Sequence, residues 1–183
     1  VCESPGHYAI RGGIIDVYTR AGSKARWHGY LDIDLWDLGM LVEGPVGKGS
    51  IVLSARRSHI DAVLGLLPKD TLGVGLTLAP AYYDYQAMLD YPVLGGKLKI
   101  IAFGSDDRVK LLFDAPTGVD LTSKSITSIT LFHRALAAYS RKRDHGELKL
   151  SVSTGYQLID ASIAEALRFT LKVLRTNWRA QYS

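Results

Sequence analysis

The chain has 183 residues, of which 47% are hydrophobic and 22% are charged, a composition sufficient for one folded domain with a core. Lysine and arginine are scattered and the net charge is only +4, which argues against a nucleic-acid-binding protein, and no apolar run reaches the roughly 20 residues that a membrane-spanning helix requires. The single cysteine, Cys2, excludes an internal disulfide framework and a multi-cysteine metal site.

Hydrophobic and polar residues alternate along most of the chain, which predicts strands with two different faces. A polar connector at 21–26 separates the first strand from the second, and the alternation slips near Asp37, where a tight turn or bulge is expected. In chain order the predicted strands lie within 8–20, 27–36, 38–46, 51–60, 82–93, 97–113, 126–142, 147–158 and 168–183.

The connections between these strands differ in length in a regular way. The turns GKGS (47–50), LGGK (94–97) and RDHGE (143–147) are short, whereas the stretches at 61–81 and 114–125 are long. The connection around 159–166 is intermediate in length. Short turns at one end and long loops at the other are typical of outer-membrane barrels, and strands of about 10 residues suit a tilted membrane crossing.

The polar positions within the strands define the candidate lumen. In YYDYQAMLDYPV (82–93), for example, the tyrosines at odd positions alternate with acidic and amide residues. Such polar residues face water in a soluble sandwich, but in an outer-membrane barrel they face the lumen while the apolar face contacts lipid. The predicted fold is therefore an all-β, antiparallel transmembrane barrel. Its lumen-facing candidates are Asp32, Asp34, Arg56, Asp84, Gln86, Asp90 and Lys149.

Large aromatic residues at strand ends are candidates for the membrane interfaces, where rings with a polar edge are enriched. The alternative is that they are ordinary core aromatics. The candidates are Trp27, Trp36, Tyr83, Tyr91, Tyr156 and Trp178.

Two other architectures are compatible with the pattern. Segments 58–67, 131–142 and 159–174 are rich in helix formers, and if they are helices the protein is a soluble α/β domain that binds a small ligand. An eight-stranded barrel that closes on itself is the other alternative. Because side chains fill its interior, such a barrel would act as an anchor or adhesin.

Catalytic and metal-binding signatures are missing from the sequence. The five histidines lack metal-ligand spacing, although His59 and Asp61 could pair, and there is no nucleophile or nucleotide motif. The stretch GSDDR (104–108) could bind Ca²⁺ but fits a solvated turn better, because it lacks the ligand number of a calcium loop. The sequence thus predicts a protein that is not an enzyme, with no metal and no cofactor.

The N-terminal segment PGHYAIRGGIIDVYTRAG (5–22) resembles the end of the plug domain in TonB-dependent outer-membrane receptors. The stretch that carries the similarity is Gly-Gly-Ile-Ile-Asp-Val-Tyr-Thr (12–19), and the similarity to the first barrel strands continues through 29–68, 82–93 and 97–112. The residues that carry the plug-end motif are Gly12, Gly13, Asp16 and Thr19.

This resemblance implies a plugged barrel of roughly 22 strands in the outer membrane of a Gram-negative bacterium, which takes up a ligand with the help of a periplasmic energiser of the TonB type. Residues 1–20 would be the end of the plug and residues 21–183 the N-terminal part of the barrel. Since only about eight strands are predicted, the chain is expected to be partial. Its implied partners are outer-membrane lipid and lipopolysaccharide, and the remainder of the barrel or another envelope protein.

Overall fold

The computed structural model describes residues 8–11, 14–17, 19–60, 81–112, 125–163 and 167–183. All ten regular elements in these ranges are strands, so the predicted all-β class is confirmed. Among the described residues, no helix has the length and apolar character needed to span a membrane. The strands are β1 (Tyr8–Arg11), β2 (Ile14–Val17), β3 (His28–Ile33), β4 (Asp37–Val46), β5 (Gly49–Ser58), β6 (Ala81–Val93), β7 (Gly96–Leu112), β8 (Ser125–Arg143), β9 (Gly146–Ile163) and β10 (Leu167–Tyr182).

Strands β3 to β10 form one antiparallel sheet in which each strand pairs with the next strand along the chain. Strands β1 and β2 form a separate antiparallel pair, with Arg11 opposite Ile14. The predicted number of about eight strands in one antiparallel sheet is therefore confirmed.

The helical alternative is wrong for two of its three segments. Segment 131–142 lies within β8, and residues 159–163 and 167–174 belong to β9 and β10. Each of these segments exchanges ladder hydrogen bonds with a neighbouring strand, and such pairing overrides intrinsic helix propensity. Of segment 58–67, Ser58 ends β5, Ile60 is helical, and residues 61–67 lie outside the described residues.

Two further local expectations are corrected. The stretch GSDDR is not a turn, because residues 104–108 continue the ladder of β7 against both neighbouring strands. The connection expected around 159–166 is shorter than predicted, since β9 extends to Ile163, which pairs with Leu167. A run of polar residues within a long strand is easily taken for a turn when the neighbouring strands are not known.

The three predicted short turns are confirmed at 47–48, 94–95 and 144–145. Gly47 and Gly95 have φ values of 56° and 71°, which glycine adopts without the steric cost of a Cβ atom. Leu94 has φ 50°, so the middle turn also places a branched side chain in the left-handed region. Tight turns of this kind connect antiparallel strands directly.

The short turns are offset from one another by a constant step. Gly49, which starts β5, lies one position beyond the Ser50–Asp90 pair and therefore two residues short of the end of β6. Gly96, which starts β7, lies one position beyond the Lys97–Ser140 pair and is likewise two residues short of the end of β8. Each hairpin is thus shifted by two residues relative to the one before it.

The antiparallel register assigns every side chain to one of two faces, because residues directly opposite each other point to the same side. We call these the polar face and the apolar face. The polar face carries Asp32, Glu43, Val52, Arg56, Asp84, Gln86, Asp90, Lys99 and Lys149, and the apolar face carries Leu53, Tyr83, Tyr85, Tyr91, Leu150, Val152, Tyr156 and Trp178.

In a water-soluble protein the hydrophobic face of a sheet is buried and the charged face is exposed, and here the two faces are the other way round. On the polar face Asp90 is 2% exposed, and Val52, Met88 and Ile101 form the buried hydrophobic cluster. On the apolar face, by contrast, Trp178 is 87% exposed. The small core therefore lies among the charged residues, while large hydrophobic side chains remain uncovered.

Candidate functional site on the polar face

The segment that follows β2 lies against the polar face of the sheet. The Nζ atom of Lys99 donates hydrogen bonds to the carbonyl oxygen of Thr19 at 3.1 Å and to its Oγ1 atom at 2.9 Å. Gly22 approaches β5 so closely that a Cβ atom there would lie 2.8 Å from the Cγ2 atom of Val52. Side chains of β5 and β7 therefore hold this segment on the polar face. From here on, the connector means residues 19–26, which include the polar stretch 21–26 predicted from the sequence.

A buried carboxylate binds the connector at a second point. Glu43 on β4 is 5% exposed, and its Oε2 atom lies 2.6 Å from Nη1 of Arg20. Its Oε1 atom lies 2.8 Å from Nε2 of His28, the first residue of β3. Because a buried carboxylate without partners is costly, Arg20 and His28 together make this position of Glu43 tolerable.

Asp90 is a second buried carboxylate on the same face. Its oxygens lie 3.4 Å from Nζ of Lys97 and 3.6 Å from Nζ of Lys99. Neither oxygen accepts a hydrogen bond from the described residues, so the two ammonium groups stabilise Asp90 mainly through charge. Lys99 thereby links Asp90 of the sheet to Thr19 of the connector.

A cavity of about 740 Å³ opens on the polar face towards the ends of the strands that are remote from the short turns. Phe103 and Phe132 meet edge to face in its lining, with ring centroids 6.1 Å apart. An apolar floor with a few polar groups around it is the usual composition of a ligand site. The polar groups around the floor are Thr19, Tyr30, Asp32, Asp34, Asp37, Ser54, Arg56, Asp84 and Gln86.

Arg56 organises one wall of this cavity. Its Nη2 and Nε atoms donate to Oδ2 of Asp84 at 2.7 and 3.1 Å, and its Nη1 atom lies 3.9 Å from Asp37. Its guanidinium also lies 5.1 Å from the ring centre of Tyr82, whose hydroxyl donates to Asp37. Asp32, in contrast, has no ion-pair partner among the described residues, which leaves a carboxylate free to meet a ligand.

Asp34 does not have the role that its place in the alternation predicts. Strand β3 ends at Ile33, and Oδ1 of Asp34 accepts hydrogen bonds from the backbone amides of Trp36 at 2.7 Å and Asp37 at 2.8 Å. The side chain therefore closes the turn between β3 and β4, as aspartate does in many tight turns. Asp34 therefore does not lie within a strand, as the alternation predicted, although it lines the edge of the cavity.

The amides of Asp37 and Trp36 lower the pKa of Asp34 below its ordinary value. A lowered pKa means that the turn is stabilised above the ordinary carboxyl pKa and loses this stabilisation as the pH falls through the lowered value. We expect Asp34→Ala to accelerate amide hydrogen exchange at Trp36 and Asp37 several-fold at neutral pH. Asp32→Ala is the matched control, and equal acceleration in both variants would contradict this role.

The other predicted lumen residues all lie on the polar face, but in separate groups. Asp32, Arg56, Asp84 and Gln86 line the cavity, whereas Asp90 lies nearer the short turns beside the connector. Lys149 is on β9, where its Nζ atom lies 3.0 Å from Glu147.

The plug-end motif is described only in part. Gly12 and Gly13 lie outside the described residues, Asp16 belongs to β2, and Thr19 contacts Lys99.

Of the predicted interface aromatics, Tyr83, Tyr91, Tyr156 and Trp178 lie on the apolar face. Trp27 lies over Gly44 on that face, and Trp36 is exposed in the turn that Asp34 closes.

Several residues of the site were missed by the sequence analysis. Glu43 and Lys99 occupy polar positions in alternating segments, so the period-two pattern contained the signal for both of them. No local pattern distinguishes Phe103 and Phe132 from residues of the apolar face, because their place depends on the register between β7 and β8. Within the described ranges, no group of three His, Cys, Asp or Glu side chains is arranged to hold a metal ion.

No protein-family model, curated protein or solved structure matches this chain. The geometry of its own residues is therefore the basis for assigning a function.

Proposed function

We propose that this chain is part of the wall of an outer-membrane β-barrel, with its apolar face towards lipid and its polar face towards the lumen. The observation that carries this proposal is the reversed burial of the two faces. Carboxylates such as Glu43 and Asp90 are buried, while Leu53, Leu150 and Trp178 are exposed. An uncovered sheet face of this kind is an aggregation hazard in water but the normal outer surface of a barrel in a bilayer.

The dimensions of the apolar face fit a membrane. On β9 the residues of this face from Leu148 to Leu158 carry no charge. This run extends about 34 Å along the strand, which corresponds to about 26 Å across the bilayer when the strand is tilted by about 40°. The apolar band of outer-membrane barrels is about 25 Å high.

The offset of the short turns fits the same geometry. Two residues extend about 6.6 Å along a strand, while two strands extend about 9.6 Å across the sheet. Turns that step by two residues per hairpin therefore lie at one level when the strands are inclined by about 35°, close to the tilt that closed barrels require.

The two edges of the sheet favour a barrel with more than eight strands. Strand β3 has 6 residues and β10 has 16, so pairing between them would leave most of the ladder of β10 without a partner. The interior of an eight-stranded barrel is filled by its own side chains. The polar face here accommodates both the connector and a cavity of about 740 Å³, which favours the larger barrel over a self-closed anchor or adhesin.

The proposed activity is ligand binding and passage at the surface of a Gram-negative cell, in a receptor or transporter of the TonB-dependent type. Residues 1–20 would end the plug, and the remainder of the barrel or another envelope protein would pair with β10. A TonB-type periplasmic protein would supply the energy, and outer-membrane lipid and lipopolysaccharide would surround the apolar face. The cavity beside Asp32 and Phe103 is the proposed ligand site, and no catalytic step is assigned to it.

Tryptophan fluorescence tests the orientation of the sheet directly. In a variant with Trp27 and Trp36 changed to Phe, Trp178 is the sole tryptophan and lies uncovered on the apolar face. We expect lipids with brominated acyl chains to quench its fluorescence strongly after reconstitution into vesicles. If the protein instead remains dispersed in water without detergent, and its fluorescence is not quenched, the membrane proposal is refuted.

A further inference from the structure

Positive charges gather on the apolar face at the strand ends remote from the short turns. In the register of the sheet they lie just beyond the charge-free part of this face, and we call them the basic rim. Two acidic residues of the same face lie among them, Asp106 and Asp160. The basic rim consists of Arg57, Arg108, Lys110, Arg168 and Lys172.

The two acids neutralise only part of this charge. Arg108 pairs with Asp106, and Arg168 pairs with Asp160, at 2.7 and 2.6 Å respectively. Arg57 is exposed, and no carboxylate among the described residues pairs with it. An excess of positive charge therefore borders the exposed hydrophobic face at this end.

Arg57 is also held in place by an aromatic ring. Its guanidinium carbon lies 5.2 Å from the ring centre of Tyr83 on the neighbouring strand. A cation–π contact of this kind orients the planar guanidinium while its N–H groups remain available to an acceptor. Arg108 on β7 lies diagonally from the same tyrosine, but its Nε and Nη2 atoms both donate to Asp106, at 2.8 and 2.7 Å, so Arg57 is the guanidinium with free donors beside Tyr83.

We propose that Arg57, oriented by the ring of Tyr83, binds a phosphate group of a glycolipid in the outer leaflet of the membrane. This inference rests on the proposed function, since it requires the apolar face to contact lipid. A phosphorylated lipid would place its acyl chains along Leu53 and the neighbouring apolar residues while its phosphate reaches the basic rim. Guanidinium groups favour this ligand because their parallel N–H donors match phosphate oxygens.

The position of the basic rim supports a lipid rather than a soluble anion as the ligand. The polar face and its cavity lie on the other side of the sheet, so a phosphate bound at Arg57 would not be in the proposed ligand path. A soluble anion would meet only the charges. A lipid would also cover exposed hydrophobic surface next to them, which adds favourable burial.

Binding of defined lipids to the detergent-solubilised protein tests this proposal. Native mass spectrometry would measure binding of lipid A and of the same lipid stripped of its phosphates. The wild type and Arg57→Gln would be compared. The wild type should retain lipid A better than the dephosphorylated form, and Arg57→Gln should weaken lipid A binding by about tenfold, as expected for loss of a charge-assisted hydrogen bond.

Arg141→Gln is the matched control, because it removes one positive charge from the apolar face at the end with the short turns. It should leave lipid A binding unchanged. Equal binding of the two lipids, or unchanged binding by Arg57→Gln, would overturn the proposal, and displacement of lipid A by millimolar inorganic phosphate would show a site for the free anion instead. Failure of the membrane proposal itself is distinguishable, because brominated lipids would then not quench Trp178.

Discussion

Leu150→Arg is expected to impair assembly of the protein into the outer membrane. Leu150 is on the apolar face, where it lies between Tyr139 on β8 and Ala180 on β10 and is 41% exposed. An arginine that faces hydrocarbon costs about 2–4 kcal/mol at the middle of the bilayer and about 0–1 kcal/mol near an interface, and Leu150 lies between these depths, next to the first residue of the charge-free run of β9. The measurement is the amount of protein in the outer-membrane fraction that resists proteinase K, and we expect it to fall several-fold.

Ser151→Arg is the matched control for this experiment, because it introduces the same side chain one position later. Ser151 is on the polar face, between Ala138 and Arg179, where an added guanidinium can remain hydrated in the proposed lumen. Its protease-resistant yield should stay close to that of the wild type. If both variants assemble equally well, or if Ser151→Arg is the more harmful, the orientation of the sheet is opposite to the one proposed.

Glu43→Gln is expected to release the connector from the polar face. The substitution preserves the shape of the side chain but removes the charge that attracts both Arg20 and His28. Charge-assisted hydrogen bonds contribute about 1.5–3 kcal/mol each, but Arg20 is 39% and His28 48% exposed. Because solvent screens both interactions, we expect the free energy that holds the connector on the polar face to fall by about 1–2 kcal/mol in total.

Limited proteolysis with trypsin measures this release, since the connector contains Arg20, Lys24 and Arg26 as cleavage sites. A loss of this size corresponds to cleavage about tenfold faster when local opening limits the reaction. Glu147→Gln is the control, because it removes a carboxylate that pairs with Lys149 and does not contact the connector. Equal rates in the wild type and in Glu43→Gln would show that Glu43 does not anchor the connector.

Much of the strand pattern was readable from the sequence because it depends on local alternation and turn residues. Segment 82–93 alternates so regularly that its two faces could be assigned before any partner strand was known, and the glycine-containing turns at 47–48 and 94–95 separate adjacent strands clearly. Segment 131–142 could not be assigned in this way. Its alanines and leucines favour a helix, and only the hydrogen bonds to β7 and β9 make it a strand.

The composition of the candidate site was predicted better than its arrangement. Asp32 and Asp34 look equivalent in the sequence, yet one lies in a strand and the other accepts two backbone hydrogen bonds in a turn. The polar position of Glu43 could be read from the alternation, but its pairing with Arg20 could not, because Arg20 is 23 residues away along the chain. Contacts of this kind depend on which strands become neighbours, and local periodicity carries no information about that.

The amino-acid order alone predicted about eight strands with one hydrophobic and one charged side, because side chains alternate along any extended backbone, but it left a helical alternative open for three segments. The folded sheet was needed to reveal which side is covered. It places Thr19 and Arg20 of the connector over the charged side and leaves the tyrosines and leucines open. The physical reason is that burial arises from the packing of distant segments against each other, whereas alternation is a property of each strand by itself.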